Sequence, residues 1–151
     1  MKNNKWVSVF GIALLVLGSI IGIYIYATEN KSSDTVPTKA TSPIIDDQGG
    51  IQVVAIWEKS DSLQQKFQLQ LNNHSWDLND YEFKNNILLK KNGTEISFSV
   101  ISEKRNPEGH HVASEIVVES PEFVGLQDGD ELTMIVKNIF DTPERTFTWS
   151  Y

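Results

Sequence analysis

The chain has 151 residues, with 20 acidic against 13 basic side chains and a formal net charge of −7. Its lysines and arginines are scattered, so the basic stripe that displaces counterions from a phosphate backbone is missing and nucleic acid is not expected as a partner. The absence of cysteine excludes disulfides, a thiolate nucleophile and a lipid thioether anchor.

The first element is an apolar run, Trp6 to Ala27, "WVSVFGIALLVLGSIIGIYIYA", without a charged side chain. A helix rising about 1.5 Å per residue from Val7 to Ala27 is roughly 31 Å long, close to the hydrocarbon thickness of a bilayer, about 30 Å. A cleavable signal core is shorter, about 7–15 apolar residues, and ends at small residues. Here Tyr24, Ile25 and Tyr26 precede Ala27, which makes a poor A-x-A-like site. Residues 6–27 are therefore expected to form a transmembrane helix, a signal anchor, with Tyr24 and Tyr26 as an aromatic belt at one interface and Trp6 at the other. Cleavage after Ala27 is the alternative.

Lys2 and Lys5 precede the span with no acid, whereas "TENKSSD" after it mixes Glu29 and Asp34 with Lys31. The positive-inside rule then places residues 1–5 as a cytoplasmic stub and the remaining chain outside. All 20 acids lie beyond the span against 11 bases, the 13 less Lys2 and Lys5, so the outer part carries −9. Within the span Gly11, Gly18 and Gly22, the last two in the G-x-x-x-G of "GSIIG", lie on one stripe with Ser8 nearby. Small residues on one stripe let helices approach closely, so this face is a candidate for self-association or for a membrane-protein partner. A cysteine-free, Lys/Asn/Ile-rich tethered domain reads as the outer face of a bacterial cytoplasmic membrane. The triplets at Asn30, Asn73 and Asn92 have the form of glycosylation acceptors, which arise by chance in an Asn-rich chain.

Residues 28–50, rich in Ser, Thr, Pro and charge, read as a flexible linker with a typical span of about 25–30 Å. From Ile51 the hydrophobic period is two, the period of a strand. "IQVVAIW" (51–57), "KFQLQLN" with Phe67, Leu69 and Leu71 on one face, "HHVASEIVVES" (110–120), "ELTMIVKNI" (131–139) and "RTFTWSY" all follow it. Asn92-Gly93 is a strong hairpin signal, because both central residues of a type I′ turn need positive φ; it predicts a hairpin of 86–91 with 94–101. About seven short strands separated by turn residues predict an all-β fold over residues 51–151, an antiparallel immunoglobulin-like sandwich. A domain starting near Gly49 is expected to fold without metal or disulfide.

The segment "LQDGDELTMIVKNIFDTPERTFTW", residues 126–149, resembles the closing strands of bacterial immunoglobulin-like surface domains, with a Gly-containing turn, an alternating strand and an Asp-containing turn before the last strand. The resemblance implies a non-catalytic sandwich used as a spacer or binding module.

Few constellations carry chemistry. His110 and His111, beside Glu108 and with His74 elsewhere, could supply metal nitrogens, but neighbours on a strand point to opposite faces and reach one ion only from a loop. Asp128 to Glu131, "DGDE", offers carboxylates of the kind Ca²⁺ favours, without the ordered spacing of a calcium loop. The sequence contains no GxSxG, no HExxH and no phosphate-cradling glycine loop, and its acids are scattered, so neither an enzyme nor a cofactor is expected. Among the aromatics, Trp57 and Trp149 fall on alternating strands and are assigned to the core. Trp76 and Tyr81 lie in the polar stretch "NNHSWDLNDYE" and are the candidate contact residues for a cell-envelope ligand. The expected function is a membrane-anchored, extracytoplasmic binding or accessory module. The alternatives are a tethered metal or small-ligand carrier using the His110-His111 loop, and a wall-active hydrolase.

Overall fold

In the computed structural model, residues 39–151 are described, within a compact unit running Val36–Tyr151. The expected stub, the span at 6–27 and the Gly11, Gly18 and Gly22 face lie outside the described residues. Among the described residues no helix is long and apolar enough to cross a membrane.

Ten strands occur among these residues, all paired antiparallel: β1 (Lys39–Ala40), β2 (Ile44–Gln48), β3 (Ile51–Lys59), β4 (Gln64–Asn72), β5 (Ile87–Lys91), β6 (Thr94–Glu95), β7 (Ser99–Glu108), β8 (His111–Glu119), β9 (Glu131–Ile139) and β10 (Thr142–Ser150). One sheet has the order β1-β3-β4-β8-β7, with β2 also on β3, and the other runs β10-β9-β5-β6. β1 and β2 share one edge of β3, β2 along Ile51 to Ala55 and β1 at Glu58 and Lys59.

Alternation builds both sheets. On β3, Ile51, Val53, Ala55 and Trp57 are fully buried, and so are Phe67, Leu69 and Leu71 on β4. From the second sheet Leu132, Met134 and Val136 of β9 and Phe147 and Trp149 of β10 join the same hydrophobic cluster. The rings meet between sheets: Trp149 lies 6.2 Å from Trp57 and 5.7 Å from Phe67. Trp57 and Trp149 are thus core residues, as their strand periodicity predicts.

The structure departs from the expected boundaries in two places. Residues 28–50 are not a linker throughout, because β1 and β2 fall within them and hydrogen-bond to β3. Ile44 packs against the core, and β2 satisfies backbone groups that β3 would otherwise leave on an open edge. The Asn92-Gly93 turn is present, with φ of 49° and 80°, but its second strand is only Thr94–Glu95. Ile96, nearly buried, and Phe98, packed on the core, turn the chain inward, so residues 99–108 join the other sheet beside β8.

A candidate binding surface at one end of the sheets

Register places several connections at one end. Gln52 pairs with Asn72 and Asn72 with His111, so the β2–β3 turn, the start of the 73–86 connection and the β7–β8 turn at Gly109-His110 lie side by side. The β9–β10 turn, Phe140-Asp141, joins them through the ring of Phe140, whose centroid lies 4.9 Å from that of Trp76 at an interplanar angle of 39°.

Asn73, 2% exposed, organises this end. Its Oδ1 accepts the backbone N–H groups of Ser75 at 2.7 Å and Trp76 at 2.6 Å. Its Nδ2 donates to the carbonyls of Trp76 and His110 at 3.0 and 3.3 Å. A buried amide used in all these directions holds a loop as firmly as a short piece of sheet, since each bond replaces one the backbone would otherwise make with water. Leu78 N–H donates to the Gly109 carbonyl at 2.9 Å, and Asn79 Oδ1 accepts the N–H of Gly109 at 2.9 Å. The loop carrying Trp76 is therefore tied to the neighbouring turn on both sides.

The two aromatic candidates separate. Trp76 is 48% exposed and leans on Phe140, itself 49% exposed. Tyr81 turns inward: it meets Phe83 edge-on at 5.1 Å, and its hydroxyl donates to the Lys137 carbonyl at 2.7 Å. Burial pushes the Tyr81 phenol well above its ordinary pKa. Tyr81 thus packs on the rim of the core, whereas Trp76 keeps half of its side chain in solvent.

The three histidines come to the same corner without converging. The rings of His110 and His111 lie 4.7 Å apart and those of His74 and His111 6.5 Å apart. His111 Nδ1 is 3.0 Å from Asn72 Oδ1. Among the described residues no group of three or more His, Cys, Asp or Glu side chains is arranged to hold a metal ion. The Asp128–Glu131 turn lies at the opposite end and uses its acid to close itself. Asp130 accepts from Asn92 Nδ2 at 2.8 Å and from the Gln127 N–H at 2.9 Å, and these bonds hold its carboxyl below the usual aspartate range.

At the same end of the sheets lies a groove of about 310 Å³ lined by Asp47, Gly50, Gln52, Asn72, Asn73 and His74. Asn73 is shared, since it lines the groove and also fixes the Trp76 loop. Phe140 and the groove had no place among the sequence-derived contact residues, and Asn73 entered only as a glycosylation-type triplet. Their signal is non-local, because Asn73 becomes buried only when the Gly109-His110 turn arrives beside it.

The described residues thus define an all-β protein of two antiparallel sheets with an exposed aromatic pair at one end. No protein-family model matches the chain, and no curated protein matches it.

Proposed function

We propose that the chain is a membrane-anchored, extracytoplasmic binding module built on an immunoglobulin-like β-sandwich, without catalytic activity of its own. The strand order supports the fold. β3, β4, β8 and β7 follow the A-B-E-D order of an immunoglobulin sheet, and β10, β9 and β5 follow G-F-C, with β6 as a short extra strand beside C. In that scheme the 73–86 connection and the β7–β8 and β9–β10 turns are the B–C, D–E and F–G loops. Loops at the end of a rigid sandwich are where such folds place binding residues. The uncharged run at 6–27 and the −9 charge beyond it support the anchor and the outside placement.

The single observation that carries the binding role is the Trp76–Phe140 pair. Two large aromatic side chains are held half in solvent, Trp76 on a loop fixed by a buried asparagine and Phe140 on the β9–β10 turn against it. A side chain needed only for stability would be buried more fully, since apolar burial stabilises by about 25 cal/mol per Å² removed from water. The test is a photoreactive amino acid placed at position 76, or at position 95 near the opposite end, in the full chain in intact cells. Discrete adducts from 76 and none from 95 are expected. Absence of adducts from both positions overturns the reading.

A further inference from the structure

Phe140 occupies a position that the fold would fill better with glycine. Its φ is 50°, in the left-handed region where a bulky residue is an outlier and its Cβ crowds the following carbonyl. The ring recovers little in exchange, being 49% exposed. Strain kept at an exposed turn points to use of the side chain itself, and the ring's neighbour is Trp76 at 4.9 Å. The outcome is an apolar pair at the surface, with the Trp76 backbone held by Asn73 and the two rings resting on each other.

The groove that shares Asn73 with the Trp76 loop offers the complementary chemistry. Its 310 Å³ falls at the low end of small-ligand pockets, about 300–1,000 Å³. Gln52, Asn72, Asp47 and His74 give it planar donors and acceptors, and neither lysine nor arginine lines it. A phosphate or carboxylate ligand would require a cation there, and the −9 of the outer part repels anionic polymers. A protein partner would need a far larger patch, about 800 Å² on each side of a standard interface. A pyranose ring matches both halves of the site: its C–H faces are apolar and flat enough to lie on an indole, and its hydroxyls radiate at the edge toward amides and a carboxylate. We infer that the Trp76–Phe140 end binds a neutral glycan chain, one sugar on the aromatic pair and the adjoining one in the groove. This rests on the binding-module reading and names its ligand class.

The test is calorimetric titration of the full chain in lipid nanodiscs, free of maltoside detergent, with chitotetraose and with cellotetraose. Saturable binding of either saccharide is expected. Binding of the first alone assigns an N-acetylhexosamine chain such as a wall backbone, and binding of the second alone assigns an unsubstituted hexose polymer. Trp76→Ala should weaken binding by about tenfold or more, equivalent to about 1.4 kcal/mol. Phe140→Gly should weaken it similarly while the thermal midpoint stays unchanged or rises. If Phe140→Gly lowers the midpoint and leaves binding intact, the pair is packing and the inference is wrong. If neither saccharide binds while position 76 still crosslinks to a protein, the glycan inference falls and the binding module stands. If position 76 yields no adduct either, both fall.

Discussion

Arg145 on β10 is buried against Asp46 on β2, with Nη1 2.7 Å from the Asp46 carboxylate oxygen Oδ1 and the guanidinium 1% exposed. The same group donates to the carbonyls of Ile51 and Gln48, each at 2.7 Å. An edge strand of one sheet is thereby fastened to the edge hairpin of the other. Fully buried arginine is uncommon, because the charge loses its hydration, and it persists only where paired and hydrogen-bonded as here.

Arg145→Ala is expected to destabilise the domain by about 3–5 kcal/mol, the cost of breaking a buried charge pair and leaving its partners unsatisfied. Asp46→Ala should cost less, since the Asp46 side chain is 20% exposed and the arginine keeps its carbonyl acceptors. Urea midpoints of the two variants give the comparison. Equal losses would mean that the ion pair, rather than the carbonyl bonds, carries the fastening.

The same contact makes a prediction about where the domain starts. A fragment beginning at Ile51 lacks β2 and therefore Asp46 and Gln48, which accept three of the bonds from Arg145. A fragment beginning at Val36 retains them. The longer fragment should melt cooperatively and the shorter one should lose about 3 kcal/mol or fail to fold, and a fragment starting near Gly49, which also lacks Asp46 and Gln48, is expected to behave like the shorter one. Equal thermal midpoints would show β2 to be dispensable.

The strands that were legible in the sequence are those with three or more apolar residues at period two. β3 and β4 meet that condition, the series Phe147, Trp149 and Tyr151 meets it at the end of the chain, and the Asn92-Gly93 turn was legible by its own chemistry. β2 does not: in "IIDDQ" only Ile44 packs on the core, and Ile45 is 60% exposed. Hydrogen bonding to β3 defines that strand, and such bonding leaves no pattern in side chains. Arg145 did leave a signal, since it continues the inward series of Phe147 and Trp149, and an inward cation requires a built partner. Asn73 and Phe140 left none, because the importance of each depends on a turn distant in sequence. The candidate surface was therefore half visible: Trp76 by its exposure in a polar loop, its platform and groove not at all.

At the far end, Gly93 has φ of 80° and open space around the position of a Cβ. Gly93→Val should therefore destabilise through the backbone alone, by about 1–2 kcal/mol. Chemical denaturation reads this directly, and no loss would place the turn outside the folding unit.

Asp130 next to that turn gives a pH dependence. Its folded pKa lies below the ordinary 3.8, through the hydrogen bond from Asn92 first and the Gln127 N–H next. A depressed carboxyl stabilises fully above the unfolded pKa, and that contribution disappears as pH falls through the folded value. Asp130→Asn should thus be less stable than the parent near neutrality, and the gap should close as the pH falls below about 4. A gap independent of pH would exclude Asp130 as its source.

The closing strand decides whether the C-terminal aromatics are core or a free recognition tail. Phe147 and Trp149 pair in register with Met134 and Leu132, and both are buried. The Tyr151 ring lies 5.8 Å from that of Trp57, and its hydrogen bond to Asp61 raises the phenol pKa to about 12. Ending the chain at Thr146 removes all three side chains and opens Leu132 and Met134 to water. Each large side chain buried contributes about 1.5–3 kcal/mol, against about 5–15 kcal/mol for a whole domain. The shortened chain is expected to lose its cooperative thermal transition, read by far-ultraviolet dichroism and by tryptophan emission. A transition that survives would show "FTWSY" to be dispensable for folding and free to act as a recognition segment. Its loss would leave the Trp76–Phe140 end as the aromatic surface available to a partner.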